Sequence, residues 1–316
     1  MKDTRTVSSS IPEELSGERA DTALAELMGP EWSRSRIKRA LLSLSLDGKA
    51  AKLSDRVQAN ARLEVSLSDE PPLKQAHAEE IPLEIVYEDD DIIVINKPCG
   101  MATHPSAGIT EGTVVNALLF HCRNLASGPE SPLRPGIVHR LDKDTSGLLV
   151  CVKSEYARVS LSRAFHDRQV HKIYSAIVRG RMTPRQGMID AAIGRDPLRR
   201  TRQAVVEGGR AAQTGYKVIE EFENYSHLEM TLFTGRTHQI RVHLSHIERP
   251  IIGDPVYSRS DALSDTLCLA AVRLSFAHPR DGRELEFRAP LPRHMQSVLN
   301  TLRAAANASE PKRIRT

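Results

Sequence analysis

The sequence predicts an α+β protein, with a small N-terminal αβ module ahead of a larger domain built around a mixed or antiparallel β-sheet. Three observations predict it. Residues 12–72 combine two stretches of helical apolar spacing with one alternating stretch, and end at Pro71-Pro72. Short apolar runs of about strand length then recur at 91–96, 147–152, 173–178 and 227–233. Finally, strands and helices do not alternate as regular βαβ units, which argues against a parallel sheet. The 316 residues suit about two domains, divided as a module over 12–72, a linker over 73–80, a second domain over 81–306 and a basic tail over 307–316.

In the module, Ala20 to Leu27 and Ile37 to Leu44 have the apolar spacing of helices, and Ser33 is the N-cap of the second. Asp47-Gly48 marks a turn, and Leu63, Val65 and Leu67 alternate as in a strand. Beyond the linker, Asp91 to Asn96 suits a buried strand closed by Lys97-Pro98 and Gly100. Gly112 to Cys122 suits a helix, Gly147 to Val152 a strand, and Ser154 caps a helix reaching about Arg168. Ile173 to Val178 resumes strand character, and Tyr216 to Ile219 with His227 to Phe233 forms a strand pair. Helices are expected over Thr237 to His246 and Met295 to Ala306, and the tail with Lys312, Arg313 and Arg315 is expected to be disordered.

Composition narrows the function classes. Apolar residues make up 40% and charged residues 27%, which is globular composition. The net charge of +4 is mild, so polyanion binding must come from local clusters. No uncharged apolar stretch approaches the ~20 residues that span a bilayer. Met1 to Ser10 lacks the apolar core of a signal peptide, and the expected compartment is the cytoplasm. The four cysteines (Cys99, Cys122, Cys151 and Cys268) stand far apart with no C-x-x-C pair, against a disulfide scaffold or cysteine-rich zinc site.

Two stretches concentrate reactive groups. His139, Arg140, Asp142, Lys143, Asp144, Thr145 and Ser146 share a turn between two apolar runs. Such a turn either presents catalytic groups on a rigid scaffold or is a solvated turn with Asx bonds to its own backbone. The second stretch runs from Thr234 to Leu244 and carries Arg236, His238, Arg241 and His243. It suits a helix with a charged outer face, and no carboxylate or thiol completes a metal set.

These residues match a family. His139-Arg140-Leu141-Asp142, continued by Lys143-Asp144-Thr145-Ser146-Gly147-Leu148, resembles the signature of the RluA-type pseudouridine synthases. Asn96-Lys97-Pro98-x-Gly100 with His104-Pro105 resembles the family's entry strand, and Lys172-Ile173-Tyr174-Ser175-Ala176 its tyrosine motif. Gly235-Arg236-Thr237-His238-Gln239-Ile240-Arg241-Val242-His243 with Gly253-Asp254-Pro255-Val256-Tyr257 resembles its C-terminal motif. The front module resembles an S4-type RNA-binding domain through Arg19-Ala20-Asp21, Leu24 and Ser33-Arg34-Ser35-Arg36-Ile37-Lys38. One departure is that the chain between Lys38 and Gly48 is short and lacks the usual glycine and valine ahead of the turn.

The resemblance implies isomerisation of uridine to pseudouridine in large-subunit ribosomal RNA, free or in an assembling particle. It implies no cofactor and no metal, a stem-loop uridine flipped out of its stack, and a monomeric enzyme. It makes Asp142 the nucleophile, Arg241 its charge partner and Tyr174 the ring that packs on uracil. Arg140 fills the space the uridine leaves. Arg34, Arg36, Lys38 and Arg39 form one RNA-binding cluster, and Arg195, Arg199, Arg200 and Arg202 another. Residues 12–70 carry nine Lys/Arg against eleven Asp/Glu, so RNA binding there must be a patch effect. His139, His238 and His243 are expected to be framework groups, and Asp144 structural. The competing reading is an RNA-binding or ribosome-assembly factor that keeps the fold without the chemistry, with a hydrolase using Asp142 and Asp144 behind it.

Overall fold

The computed structural model describes residues 4–29, 32–68, 76–106, 108–126, 134–199 and 202–309, which fall into two compact units, residues 4–68 and residues 76–309. The first unit contains β1 (Thr4–Ser10), α1 (Ala20–Met28), α2 (Arg34–Ala40), β2 (Leu41–Leu46), β3 (Lys49–Ala50) and β4 (Arg62–Ser68). Its sheet has the order β1-β4-β2-β3 and is antiparallel throughout. Ala23, Leu24 and Ile37 of the helices are buried with Leu63, Val65 and Leu67 of β4. The Ser33 side chain caps α2 by accepting from the Arg36 amide. Asp47 (φ 49°) and Gly48 (φ 76°) make the expected turn, both left-handed, which matches the twist of the flanking strands.

Two elements of this unit differ from the sequence reading. The second helix ends at Ala40 and not at Leu44, and Leu41–Leu46 is a strand. Ile37, Ala40, Leu41 and Leu44 keep helical spacing while Leu42, Leu44 and Leu46 alternate, and pairing of Leu44 with Val65 and Leu46 with Leu63 decides for the strand. The polar segment before residue 12 is β1, which pairs with β4 along its whole length. Pro71-Pro72 lies outside the described residues, as does the tail beyond Ser309.

The second unit begins with a stretch read above as linker, but its end is anchored. The Asn116 side chain donates to the His77 carbonyl, and the Glu79 carboxylate accepts from the Gly112 amide at 3.1 Å. There follow β5 (Ile85–Glu88), β6 (Ile92–Lys97), α3 (Val114–His121), β7 (Ser146–Val152), α4 (Glu155–His166), β8 (His171–Arg179) and β9 (Gln186–Asp190). A hairpin of β10 (Ile193–Arg195) and β11 (Gln203–Val205) precedes β12 (Gln213–Glu221), β13 (Tyr225–Leu232) and α5 (Gln239–His246). β14 (Leu269–Ala277), β15 (Glu284–Arg288) and α6 (Arg293–Ser309) complete the unit, so the first residues of the expected tail are helical.

The main sheet has the order β5-β6-β7-β14-β8-β13-β12-β9, with β15 on β14. It is a mixed sheet because β7 and β14 run parallel among antiparallel pairs. Alternate residues of β6 and β7 enter two cores. Ile93, Ile95, Leu149 and Cys151 pack with Leu118, Leu244 and Leu299, and Ile92, Val94, Leu148 and Val150 pack with Leu161 and Phe276. Burial on both faces explains why these strands read as continuous apolar runs.

Candidate active site

The turn ahead of β7 is held rigidly. Leu141 is buried, and its backbone exchanges hydrogen bonds with the Thr103 hydroxyl, which donates to the Leu141 carbonyl at 2.8 Å and accepts its amide at 3.3 Å. The fully buried Lys97 ammonium donates to the carbonyls of Pro98, Met101 and Lys143. Burial pulls this amine down to about 8, opposed by the nearby Cys99, Asp144 and Asp142. The Thr145 amide closes the turn on the Asp142 carbonyl at 3.1 Å. Gly147 (φ +109°) then sits against β14, where a Cβ would lie 2.2 Å from the Ala271 oxygen. Only glycine lets β7 reach its parallel neighbour directly after the turn.

Opposite this turn lies the start of α5. Its approach, residues 234–238, is organised by the buried Gln239 side chain. Gln239 accepts from the Thr234 hydroxyl and the Arg236 amide, and donates to the Gln213 carbonyl and the Thr214 hydroxyl. His238 precedes the helix in the left-handed region (φ 57°), a strained setting for a residue with a Cβ.

The two loops and β8 border an open cleft lined by Arg140, Asp142, Tyr174, His238 and Arg241, among others. Arg241 Nη1 lies 3.4 Å from Asp142 Oδ2, across 99 residues of sequence. The sequence reading makes Asp142 the charge partner of Arg241, yet the planar fork is directed elsewhere. Arg241 Nε and Nη2 donate to the two oxygens of Asp254, both at 2.8 Å. Asp254 is fully buried and also accepts the amides of Val256 and Tyr257. Burial opposes its ionisation, but the Arg241 fork and these amides outweigh it and hold the carboxyl below its usual range. Arg241 is raised in turn: burial opposes its charge, but Asp254 and then Asp142 overcome that. Asp142 thus receives one longer contact from a guanidinium already locked in place. Asp254 stands in the C-terminal motif, but its role follows from a partner that only the fold brings to it.

Tyr174 is buried on β8, between Met230 and Ala271 of the neighbouring strands. Burial, and then the Asp142 charge, push its hydroxyl up, so the phenol stays protonated. His238 Nε2 lies 3.9 Å from Asp142 Oδ2. Burial lowers its pKa against the opposing pull of Asp142, which favours neutral imidazole. His139 and His243 of the motifs are framework groups. His139 Nε2 accepts the Val150 amide and is lowered to about 3 by burial, and His243 bonds the Thr214 hydroxyl and the Ala191 carbonyl.

Arg140 is exposed at the cleft rim, with Nη1 3.3 Å from Nε2 of the buried His104. The remaining cationic residues divide. Arg34 pairs with Asp21 at 2.9 Å, and the Arg36 guanidinium lies 4.3 Å from the Trp32 ring, so both are already engaged within the first unit. Lys38 is exposed. On the β10–β11 hairpin Arg195 and Arg199 are exposed, whereas Arg202 is half-buried beside Tyr257. The Arg39 side chain and Arg200 lie outside the described residues. Among the described residues one trio, Glu88, His121 and Cys122, brings metal-capable atoms together. Glu88 there already holds Lys153 Nζ at 2.6 Å, a cation that competes with any metal.

Residues 91–246 match the RNA pseudouridylate synthase family. Over 96% of this chain and 90% of the relative, it is 42% identical to ribosomal large subunit pseudouridine synthase D of Nitrosomonas europaea. The chain belongs to the RNA pseudouridylate synthase family. A second such relative, ribosomal large subunit pseudouridine synthase D of Vibrio parahaemolyticus, is 44% identical over 91% of each chain. Among solved structures, human RNA pseudouridylate synthase domain containing 1 is 25% identical and covers 74% of this chain and 99% of its own, with a TM-score of 0.57. The α+β architecture with its mixed sheet is that of a pseudouridine synthase, and the cleft lies among the elements that carry the family's motifs.

Proposed function

We propose that this pseudouridine synthase isomerises uridine in large-subunit ribosomal RNA, with Asp142 as its nucleophile. The convergence of Asp142, Tyr174 and Arg241 in one cleft carries the reading. The reaction breaks the N1–C1′ bond of uridine, turns the base and joins C5 to C1′. A proton leaves C5 and one is gained at N1, so no oxidant, reductant or net water is consumed.

In this reading Arg241, held by Asp254, orients the Asp142 carboxylate through Nη1. Tyr174 offers its ring as a stacking face for uracil, with its hydroxyl near the reacting base. The uridine leaves a stem-loop stack at a cost of about a few kcal/mol, and Arg140 occupies its place and meets a phosphate. The reading takes the enzyme to act as a monomer. No helix among the described residues is long and apolar enough to cross a membrane. An rRNA substrate assigns the enzyme to the cytoplasm. The first unit acts as an S4-like RNA-binding domain, with exposed Lys38 as its freest described cation in α2.

Asp142→Asn tests the assignment, because the amide keeps the shape and loses the anionic nucleophile. Conversion of uridine in rRNA is expected to fall to background, roughly 10³-fold or more. RNA affinity is expected to hold or rise slightly, since a negative charge near the phosphates is removed. A folded variant that still isomerises at the wild-type rate removes Asp142 from the role. Absence of activity in the wild type, with RNA binding intact, would favour a binding factor.

A further inference from the structure

Tyr257 is not among the groups assigned to the reaction, yet it contacts His238, Arg241 and Asp254 beside the site. Its hydroxyl accepts the backbone N–H of Gln203, at the start of β11, at 3.0 Å. The same oxygen lies 3.0 Å from His238 Nδ1. The ring centroid is 4.9 Å from the Arg202 guanidinium and 5.3 Å from that of Arg241. Its own amide donates to Asp254, the carboxylate that holds Arg241. The residue therefore joins the arginine-bearing hairpin, the catalytic cleft and the Arg241 anchor.

The hydrogen bonds have a direction. Gln203 can only donate, so the phenol oxygen is an acceptor there, and its single proton is left for His238 Nδ1. A neutral imidazole carries one proton, and an accepting Nδ1 leaves that proton on Nε2. Nε2 is the nitrogen that faces Asp142, 3.9 Å from Oδ2. Its N–H dipole then points at the carboxylate and adds to the Arg241 contact. The opposite tautomer would turn a lone pair toward an anion.

We propose that Tyr257 is a positioning residue that fixes the His238 proton on Nε2, toward Asp142, and couples that setting to the seating of the β10–β11 hairpin. RNA phosphates gripping Arg195, Arg199 and Arg202 would press the hairpin, and with it the Gln203 amide, onto the phenol that orients the site. The inference rests on Asp142 as the reacting group, and its first test is read without turnover, so failure of the one is distinguishable from failure of the other.

The first measurement is the nitrogen-15 spectrum of the histidine-labelled full-length protein at neutral pH, with the His238 signals assigned by their loss in His238→Gln. Protonated Nε2 and unprotonated Nδ1 are expected, and a proton resident on Nδ1 overturns the proposal whatever the variants do. The second is turnover of Tyr257→Phe, which keeps the ring near both guanidiniums and loses both hydroxyl bonds. Its kcat is expected to fall about tenfold with KM unchanged within about twofold. In a His238→Gln background the same change is expected to cost nothing further, because its effect runs through His238. A loss confined to KM, an unchanged kcat, or full additivity of the two substitutions overturns the coupling.

Discussion

The α2 segment of the first unit and the cleft of the second both announced themselves as clusters of charge, but they use charge differently. The α2 ion pair is closer in sequence, and its arginine faces solvent although Asp21 of α1 is nearly buried. Arg34 reaches Asp21 across 13 residues, and that arginine side chain is 53% exposed. In the cleft, Arg241 is 3% exposed, its fork partner Asp254 is 0% exposed, and Asp142 arrives from 99 residues away. Exposed charge suffices to grip a phosphate backbone, because that attraction is long-ranged and tolerant of geometry. Orienting a nucleophile requires a charge that cannot move, and burial with complementary partners supplies that.

The contrast is broken most severely at Asp254. Asp254→Ala leaves the Arg241 guanidinium buried without its fork, which is expected to cost about 3–5 kcal/mol in unfolding measurements. Turnover of the surviving folded fraction should also drop, because Arg241 is released from its orientation. Retention of wild-type stability and rate would show that Asp142 alone holds Arg241. At Arg241 itself, Met is expected to abolish activity and Lys to recover only part of it, on the order of a hundredth to a tenth of the wild-type kcat, since an ammonium cannot span Asp254 and Asp142 together. Equal rates for Lys and Arg would reduce the role to a point charge.

Removing residues 1–75 probes the other side of the comparison. RNA affinity should weaken and its log–log dependence on salt flatten by ~0.7–0.9 per lost phosphate contact, while turnover of a saturating minimal substrate persists. An unchanged slope would mean that the first unit contributes no phosphate contacts. The smallest effect is expected at Asp21. Hydrogen bonding from Arg19, and then from Arg34, holds its carboxyl at about 2, below the ordinary 3.8, against a cost of burial. A lowered folded-state value contributes stability above the unfolded-state pKa and loses it as pH falls through the folded-state one. Asp21→Asn should therefore cost on the order of 1 kcal/mol at pH 7, after allowance for the solvent around both arginines. That difference should shrink between about pH 4 and pH 2 in thermal unfolding scans. A difference that is constant with pH would mean that the ion pair contributes nothing.

Much of this protein was legible one residue at a time. Ser33 and Ser154 cap helices, Asp47-Gly48 turns a hairpin, and β6 and β7 read as apolar runs because both their faces are buried. Local chemistry of this kind is written in adjacent residues, and the motif of residues 139–148 placed a turn before a strand for the same reason. Elements whose stability comes from distant neighbours were not legible. β14 carries an alanine pair after Leu269 and alternates only from Arg273 to Phe276, yet it holds the middle of the sheet by pairing with β7, β8 and β15. Leu41–Leu46 became a strand because β4 was available to pair with it.

In the site, the sequence by itself determined which reactive groups were present: an aspartate in a rigid turn, an arginine two residues into a helix and a tyrosine on a strand. The tertiary structure decided how those charges are shared. It gave the arginine fork to Asp254, left Asp142 with one longer contact, and brought His238 out of the framework to the cleft. The physical reason is that ion-pair and hydrogen-bond geometry depends on ångström-scale placement of atoms on separate elements, and that placement is set by packing of the whole sheet and its helices.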